Sequence, residues 1–504
     1  MSFQPDVIIV GGGTSGSVLA ARLSADPARK VLLLEAGADH FHYPDSVRHA
    51  HLAARNVLAG GKHKIRWLRR MPGNVMPTIL LRGNVLGGTS AINYMAAVRG
   101  MPEDFDAWQA AGCDGWGWQS VLPHFRALEN DTDFGETALH GAQGPLRIRR
   151  WPVQDFQGVH RAFYQGLREL DIAASDDIND RRSLPGVGAF TGTVSDAGHT
   201  LLSVSQAYLT NAVRQRPNLQ IRTQAPVARV IIEQQRVRGV QLCSGEVLAA
   251  PEVVLSCGAF ESPKLLMLSG IGDPQQLTEH GIQVQHTLPA VGRRLQDHVA
   301  ISLLYRAPYR GPHHGSPAQS IWIGASDGDN LDFHAMPSPV INTPLAGEIA
   351  NLMVFNLQPH TQGQVRLRSA NPAHQPLLDL NFLTATEDLE SIARPMKTIA
   401  QWEQTAAFKA WGAKRLFPRK IPRTAEQVKA AKRWLSISYF HHVGTCAMGP
   451  EGDEHSVVDT RCRVQGVQGL RVVDASVMPT IIRGNTYLCC VMVAEKIAAE
   501  WPLP

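Results

Sequence analysis

The stretch DVIIVGGGTSG, at residues 6–16, joins a short apolar run to a glycine-rich turn. The run DVIIV is rich in β-branched apolar residues, which is typical of a strand buried on both faces of a sheet. Gly11, Gly13 and Gly16 follow the G-x-G-x-x-G spacing, which serves a tight turn, backbone approach to a pyrophosphate, and close helix–strand packing. The stretch therefore predicts the strand, turn and helix of a dinucleotide-binding α/β domain.

The residues after this turn extend the same pattern. SGSVLAARLSAD predicts a helix whose start, at Thr14 and Ser15, faces the phosphate charge, and KVLLLE at 30–35 predicts a second strand. This strand ends in Glu35, where an acid can accept hydrogen bonds from ribose hydroxyls and disfavours a 2′-phosphate. The alternative is a plain glycine-rich turn, and the fingerprint alone does not separate NAD from FAD.

Composition narrows the class of protein. The chain has 504 residues, 18% charged residues and a net charge of +5, which indicates a large globular protein of about two to four domains. The basic run KHKIRWLRR at 62–70 is interpreted as a solvated strand or loop, so we expect no nucleic-acid partner.

Cysteine usage and hydropathy suggest a compartment. The seven cysteines are scattered without a CxxC pair, which favours reduced thiols over disulfides or a zinc cage. No apolar run approaches the ~18 residues of a membrane span, and no signal peptide is evident. We therefore expect a soluble, cytoplasmic protein with no bound metal.

A second glycine loop lies within LRGNVLGGTSAINYMAAVRG at 81–100. Gly87 and Gly88 stand in an otherwise apolar stretch, which suggests close approach of backbone to a flat ligand or to another chain segment. A simple tight turn is the alternative.

Five ordered motifs resemble those of the glucose–methanol–choline family of flavin oxidoreductases. They are RGNVLGGTSAIN (82–93), GAFESPKLLMLSGIG (258–272), VGRRLQDH (291–298), HHVGTCAMG (441–449) and VVDASVMPTIIRGNT (472–486). The resemblance runs from residue 6 to about 500 and is weakest over about 305–435. Arg294 and Leu201 depart from the family pattern, in which asparagine and arginine are frequent at these places.

The resemblance implies an α/β fold with a Rossmann-like FAD-binding domain and a second, mostly antiparallel-sheet substrate domain. We expect the FAD-binding domain at 1–155, 195–300 and 440–504, and the substrate domain at 156–194 and 301–439. The segment 391–411 is predicted to be helical, and 486–499 is predicted to form a buried C-terminal helix.

The resemblance also implies bound FAD. Ile92 stands where some members carry the histidine that attaches FAD covalently, so we expect non-covalent FAD. Two of the implied contacts keep structural alternatives, because Val227 could belong to an ordinary hairpin and Asp474 could cap the turn that follows it. The implied cofactor contacts are Gly11, Gly13, Thr14, Ser15, Gly16, Glu35, Ala36, Arg82, Gly87, Gly88, Asn93, Met95, Val227, Asp474, Ala475, Asn485 and Thr486.

Two adjacent histidines stand in FHHVGTC at 440–446. A neutral imidazole, with a usual pKa of ~6.5, is suited to take the proton of an alcohol. The resemblance assigns this role to His441 and places Asn485 beside the alcohol oxygen. In an extended segment His442 faces away. A metal site with Cys446, a core histidine at His441 and a turn role for Asn485 are the alternatives.

The implied reaction is oxidation of a primary alcohol, of the aryl or furan methanol type, to an aldehyde. His441 acts as base, the hydride passes to flavin N5, and O2 or another acceptor reoxidises the flavin, with O2 giving H2O2. Met95, Tyr439 and Phe440 are the expected substrate-pocket residues. The alternatives are a choline-type dehydrogenase with another electron acceptor, an FAD-containing hydroxynitrile lyase, and a flavin-binding protein without catalysis. The histidine-rich segment at 40–51 is interpreted as a surface loop.

Overall fold

The computed structural model describes residues 3–39, 64–69, 73–75, 77–195, 200, 202–308, 318–343 and 347–502. The histidine-rich segment at 40–51 lies outside these residues, while residues 64–69 of the basic run form a strand.

The strands fall into one parallel sheet and several antiparallel or mixed sheets. In chain order they are β1 (Val7–Val10), β2 (Val31–Leu34), β3 (Lys64–Arg69), β4 (Thr78–Gly83), β5 (Glu129–Asp131), β6 (Leu146–Arg150), β7 (Ala174–Ser175), β8 (Gly186–Ala189), β9 (Thr191–Thr193), β10 (Leu219–Arg222), β11 (Val227–Glu233), β12 (Arg236–Leu242), β13 (Val247–Ala249), β14 (Glu252–Leu255), β15 (Ile271–Gly272), β16 (His286–Thr287), β17 (Val299–Ala307), β18 (Ser320–Ala325), β19 (Leu331–Thr343), β20 (Gly347–Asn356), β21 (Gln364–Arg366), β22 (Leu377–Asp379), β23 (Lys414–Phe417), β24 (Ser436–Ser438) and β25 (Leu470–Val472).

The α-helices pack on both kinds of sheet. In chain order they are α1 (Thr14–Leu23), α2 (Pro102–Ala110), α3 (Trp118–Leu128), α4 (Gly158–Glu169), α5 (Val204–Tyr208), α6 (Asn211–Arg214), α7 (Gly258–Leu268), α8 (Pro274–Glu279), α9 (Thr386–Trp402), α10 (Ala406–Trp411), α11 (Ala425–Leu435) and α12 (Thr486–Ala499). Among the residues with assigned structure, no helix combines the length and the apolar character needed to cross a bilayer.

The parallel sheet has the strand order β10-β2-β1-β14-β25. All four residues of β1 and of β2 are buried, as expected for central strands covered on both faces. The predicted strand, helix and strand are confirmed as β1, α1 and β2. Because the strands are parallel, the residues that follow β1, β2 and β25 meet at one edge of the sheet.

The largest sheet has eight strands in the order β23-β17-β20-β19-β18-β8-β7, with β24 also paired to β17. Its pairs are antiparallel except β7 with β8. One face carries Ile323, Met336 and Phe355, which pack in a cluster that includes Ala96 and Val98. The mixed α/β fold is therefore confirmed, whereas the predicted domain limits remain a proposal.

The predicted helix at 391–411 is wrong in its bounds. α9 begins earlier, at Thr386, and ends at Trp402, and a separate helix, α10, begins at Ala406. Thr405 ends the continuity because its side chain accepts a hydrogen bond from the N–H of Phe408 and caps α10. The predicted C-terminal helix is confirmed as α12, which is buried along most of its length.

A buried ion-pair network lies beneath the chain that leads from the second glycine loop. Arg99 has no exposed side-chain surface, and both its guanidinium and His140 contact the carboxylate of Glu129. His140 also lies 3.1 Å from Asp131 and 2.8 Å from Asp177.

Two arginines and the protonated His140 together balance the three carboxylates of this network. Arg150 Nη1 lies 2.9 Å from Asp131, and its Nη2 lies 3.1 Å from Asp177. The atoms of Glu129, Asp131 and His140 are close enough together to hold a metal ion. Because Arg99 and Arg150 already pair with the carboxylates, we describe the group as the ion-pair network of Arg99, Glu129, Asp131, His140, Arg150 and Asp177.

Candidate active site

The glycine-rich turn between β1 and α1 leaves no room for side chains. Gly11 has a φ of +99°, and a Cβ there would lie 2.5 Å from the carbonyl oxygen of Ser256. A Cβ on Gly16 would lie 1.9 Å from the carbonyl oxygen of Gly11. α1 then begins at Thr14 with no side-chain cap and no acidic residue in its first turn. Because the first N–H groups and the dipole of a helix favour negative charge, this end of α1 fits a phosphate group.

Glu35 follows β2 and is buried beside the turn. Its Oε2 accepts a hydrogen bond from the N–H of Gly12 at 2.8 Å, and its Oε1 accepts one from the N–H of Gly37 at 2.7 Å. Burial raises the pKa of this carboxyl group, and the two backbone donors oppose the rise. Each carboxylate oxygen thus accepts a hydrogen bond from a backbone N–H and retains a lone pair for a further donor, such as a ribose hydroxyl.

Ala36 and Val227 lie close to Glu35. The exposed Ala36 is its chain neighbour. The N–H of Ala225 donates to the carbonyl oxygen of Glu35 at 2.9 Å, which brings the start of β11, at Val227, to the same place. The two predicted cofactor contacts are therefore brought together with the acid.

The second glycine loop contacts the first. Gly87 and Gly88 have φ values of +98° and +53°. The N–H of Gly87 donates to the carbonyl oxygen of Gly12 at 2.7 Å, and a Cβ on Gly88 would lie 2.7 Å from the Cα of Gly13. The two loops form one backbone surface that additional side chains would disrupt.

Asn93 and Met95 continue from this surface. Asn93 Oδ1 accepts a hydrogen bond from the N–H of Met95 at 2.8 Å. Met95 is buried with a φ of +52°, and its carbonyl oxygen accepts from the N–H of Thr193 at 3.0 Å. These contacts fix the loop against β9.

Asp474 follows β25 at the same edge of the parallel sheet. Its Oδ2 accepts a hydrogen bond from the N–H of Gly258, the first residue of α7, at 2.8 Å. Its Oδ1 accepts from the N–H of Ser476 at 2.8 Å and caps the short 3-10 helix that begins at Ala475. The capping role that the sequence allows for Asp474 is therefore observed.

The start of α12 lies beside the start of α1. The hydroxyl of Ser15 donates to the carbonyl oxygen of Cys490 at 3.0 Å, which brings the first turn of α1 against the N-terminal half of α12. α12 begins at Thr486, and the side chain of the preceding Asn485 makes no capping hydrogen bond. That amide is thus available to another part of the site.

His441 is buried between Asn485 and His298. Asn485 Nδ2 lies 3.1 Å from His441 Nε2, and His298 Nδ1 lies 3.0 Å from His441 Nδ1. An amide nitrogen can only donate, so His441 Nε2 accepts and its Nδ1 carries the hydrogen that is donated to His298. This network assigns a tautomer with a lone pair on Nε2.

Electrostatics keep this imidazole neutral. Burial, together with the neighbouring His298, His334 and Arg82, lowers the pKa of His441 well below its usual value. A neutral imidazole is the form that accepts a proton, so His441 is suited to act as a base near neutral pH.

His298 is the main site residue that sequence reasoning missed. It ends the motif VGRRLQDH, whose resemblance to the family was noted without giving the histidine a role. The available signal was an Asp–His pair, Asp297 and His298, at the start of the buried strand β17. Burial lowers the pKa of His298 to about 3, although backbone interactions with Leu357 and Ile482 oppose this.

His442 has different partners from His441. Its Nδ1 lies 2.5 Å from Arg82 Nη2, and its Nε2 lies 3.3 Å from Asp297 Oδ2. Burial and Arg82 lower the pKa of His442, while burial raises the pKa of Asp297 to about 7. Asp297 also accepts the backbone N–H of His441 at 2.8 Å, so this group of side chains holds the histidine segment in place.

An aromatic wall stands next to His441. The Tyr439 ring centroid lies 4.1 Å from that of His441 and 3.7 Å from that of Phe355, on which it stacks. The hydroxyl of Tyr439 donates to Met336 Sδ at 2.9 Å. Phe440 is half-buried with a φ of +64°, and its carbonyl oxygen accepts from Arg82 at 3.3 Å.

These features fit FAD. The uncapped N-terminus of α1 suits the pyrophosphate, and the backbone surface of Gly13 and Gly88 admits a flat group. The buried Asn485 Oδ1 has no hydrogen-bond partner within the described ranges, which leaves it available to a bound group. The two predicted catalytic residues, His441 and Asn485, are in direct contact.

A comparison of the sequence with models of protein families finds matches to one family. The GMC oxidoreductase profile matches in two parts, an N-terminal part at residues 5–300 and a C-terminal part at residues 359–494.

Several relatives match this chain over nearly its whole length, among them an alcohol dehydrogenase and a hydroxymethylfurfural oxidase. The alcohol dehydrogenase [acceptor] of Pseudomonas putida is 33% identical, over 98% of this chain and 95% of the relative. The 5-(hydroxymethyl)furfural oxidase of Methylovorus sp. is 34% identical, over 98% of each chain. Among solved structures, pyridoxine 4-oxidase from Mesorbium loti has a TM-score of 0.90 and 28% identity, over 99% of each chain.

Proposed function

The chain belongs to the GMC oxidoreductase family, and from this premise we propose that it oxidises an aryl or furan methanol to the aldehyde with non-covalently bound FAD. The observation that carries the proposal is the contact between His441 and Asn485 beside a wall of aromatic rings. The two relatives, an alcohol dehydrogenase [acceptor] and a 5-(hydroxymethyl)furfural oxidase, support an alcohol substrate.

In this proposal the residues of the chain bind the alcohol and move its proton. Nε2 of His441 accepts the hydroxyl proton, while the Asn485 side chain holds the alcohol oxygen and then the carbonyl oxygen of the product. Bound FAD supplies the two-electron acceptor for the hydride that leaves the alcohol carbon. With O2 as final acceptor, the alcohol and O2 give the aldehyde and H2O2.

The aromatic wall supports an aromatic alcohol over choline. Tyr439 and Phe355 present stacked rings beside His441, which suits a flat substrate. The carboxyl group next to this histidine, that of Asp297, already accepts hydrogen bonds from the N–H of His441 and the hydroxyl of Ser438, so it is committed to protein partners and is not a free carboxylate. A quaternary ammonium substrate would benefit from such a carboxylate.

The direct test adds alcohols to the purified yellow protein without oxygen. We expect benzyl and furfuryl alcohols to bleach the flavin absorbance, and readmitted O2 to restore it with release of H2O2. Bleaching by choline alone would favour the choline-type dehydrogenase, and recovery only with an added quinone-like acceptor would favour a dehydrogenase. Cyanide release from a cyanohydrin without bleaching would favour the lyase.

His298 provides a test of the assigned tautomer. We propose that it accepts the Nδ1 hydrogen of His441 and so keeps the lone pair on Nε2. Replacing His298 with leucine removes the acceptor, and we expect flavin reduction to slow by about 10- to 100-fold, the range found when the hydrogen-bond partner that orients a metal-ligating histidine is removed. Stopped-flow reduction by benzyl alcohol measures this effect.

The pH profile distinguishes positioning from simple structural damage. His298, whose pKa burial lowers to about 3, is neutral near neutral pH and accepts the Nδ1 hydrogen of His441. Removing this acceptor in His298→Leu makes the imidazolium of His441 harder to form, so the acid limb of the reduction rate should move to lower pH. The variant His298→Gln keeps an acceptor and should recover part of the rate. A slowed enzyme with an unmoved acid limb and no recovery in His298→Gln would contradict this role.

A further inference from the structure

His334 is a buried histidine that the proposed chemistry does not use. It lies on the central strand β19, directly opposite Phe355 of β20 and Ile323 of β18, and its exposed surface is 0%. Residues two apart in a strand share a face, so His334 faces the same side as Met336. The side chain is therefore placed in the apolar face of the eight-stranded sheet.

Neither ring nitrogen of His334 has a hydrogen-bond partner within the described part of the chain. A buried polar group without a partner is costly, and such groups are normally satisfied by protein, water or a ligand. A core histidine that only filled space would be bonded to neighbours, as His160 is to Ser320 at 3.2 Å. The unsatisfied ring nitrogens of His334 thus point to a ligand.

The neighbours of His334 form part of the aromatic wall next to His441. Phe355, the cross-strand neighbour of His334, stacks on Tyr439. Met336, which lies on the same face of the sheet as His334, accepts a hydrogen bond from the Tyr439 hydroxyl. Tyr439 in turn lies 4.1 Å from His441, measured between ring centroids. One aromatic stack therefore separates His334 from the proposed base.

We propose that His334 binds a second, neutral hydrogen-bonding group of the alcohol substrate, at the end of the molecule away from the carbon that is oxidised. This inference rests on the proposed function, because it assigns a substrate class to the same site. The class consists of aromatic or furan primary alcohols that carry a second hydroxymethyl, hydroxyl or carbonyl group.

The chemistry of a buried imidazole limits that second group. Burial, followed by His298, lowers the pKa of His334 to about 3, so the ring stays neutral near neutral pH. A neutral imidazole offers one donor and one acceptor, which matches a hydroxyl group or a carbonyl oxygen. A carboxylate could accept from the ring N–H but would be buried without an opposite charge, which is costly, and a quaternary ammonium has no N–H or O–H to donate to the ring.

The test compares two substrates of nearly equal shape, 4-ethylbenzyl alcohol and 1,4-benzenedimethanol. The second has a hydroxyl group where the first has only a methyl group. We expect wild-type kcat/KM to favour the diol by about 5- to 150-fold, beyond the factor of two for its equivalent ends. His334→Leu should reduce the preference to that factor of two, and His334→Gln should retain part of it.

Binding of inert analogues makes the result independent of turnover. 4-Methylbenzamide and terephthalamide contain no alcohol, and their Kd values are measured from the perturbed flavin spectrum. We expect terephthalamide to bind more tightly to the wild type, and this preference to vanish in His334→Leu. If alcohols fail to reduce the flavin but this Kd preference is found, the proposed function is wrong, while the proposed hydrogen bonding by His334 is supported.

A matched control changes the shape of the aromatic wall without removing or adding a polar atom. Ile323→Leu replaces the other cross-strand neighbour of His334 and should leave both preferences intact. Each variant is first checked for an unchanged flavin spectrum. Equal preferences in the wild type and His334→Leu, or equal binding of the two amides by the wild type, would overturn the inference.

Discussion

Replacing His441 with alanine slows flavin reduction by about 10²- to 10⁴-fold, if the imidazole removes the alcohol proton as proposed. The lone pair of His441 Nε2 lies beside the Asn485 amide. The amide cannot accept a proton near neutral pH, so the imidazole is the base of this pair. The rate is measured by anaerobic stopped-flow with benzyl alcohol, and the yellow colour of the purified variant reports bound FAD.

The control is His455→Ala. The side chain of His455 is largely exposed and its ion-pair partner, Glu454, is not a site residue, so its removal should leave the reduction rate unchanged. A His441→Ala enzyme that binds FAD and is reduced at the wild-type rate would rule out this base.

The pH profile of the wild type gives a second view of the same residue. Because the folded-state pKa of His441 is lowered by burial, its neutral and active form persists as the pH falls through about 6.5. The reduction rate should therefore decline only at lower pH. An acid limb centred at or above the ordinary imidazole pKa would contradict a buried neutral base.

The second large effect is on stability. His140→Gln should lower the free energy of unfolding by about 3–5 kcal/mol, because it leaves buried carboxylates without their shared cation. His140 contacts Glu129, Asp131 and Asp177, and the first two have no exposed side-chain surface. The measurement is chemical denaturation followed by tryptophan fluorescence.

The pH dependence of this effect follows from linkage. Burial acts to lower the pKa of His140, but hydrogen bonds with Asp131, Asp177 and Glu129 outweigh it and raise the value to about 10. A raised pKa stabilises the folded protein fully below the unfolded value of about 6.5, and this stabilisation is lost as the pH rises through about 10. The gap between wild type and His140→Gln should shrink over that range.

An exposed ion pair supplies the control for stability. His455 lies 3.8 Å from Glu454, and both side chains are mostly exposed. Removing such a pair with His455→Gln should change the free energy of unfolding by less than about 1 kcal/mol. Equal effects of the two substitutions would show that the buried network contributes no more than a surface pair.

Much of the FAD-binding half was predictable because its signals are local. Gly11, Gly13 and Gly16 stand at fixed spacing between a buried strand and a helix, and the structure has that strand and helix. The buried character of α12 was equally plain from its continuous apolar run. Short-range periodicity and turn chemistry are sufficient for such elements.

The rest depends on contacts between distant segments. Nothing in the local sequence around His298 shows that its ring meets His441, 143 residues later. His334 lies in a strand that reads as ordinary apolar β-structure, and only the pairing of β19 with β20 places it near Tyr439. The break between α9 and α10 was missed because a single capping threonine, Thr405, outweighs a continuous helical pattern.

The contact between Ser15 and Cys490 spans 475 positions of the chain and joins its first and last described helices. A ribosome must therefore deliver nearly all of the polypeptide before the flavin can be enclosed. Nascent chains that stop before residue 470 would lack the edge strand β25 as well as α12. A premature stop codon at this point should therefore yield fragments that bind no flavin, are colourless, and depend on chaperones to stay in solution.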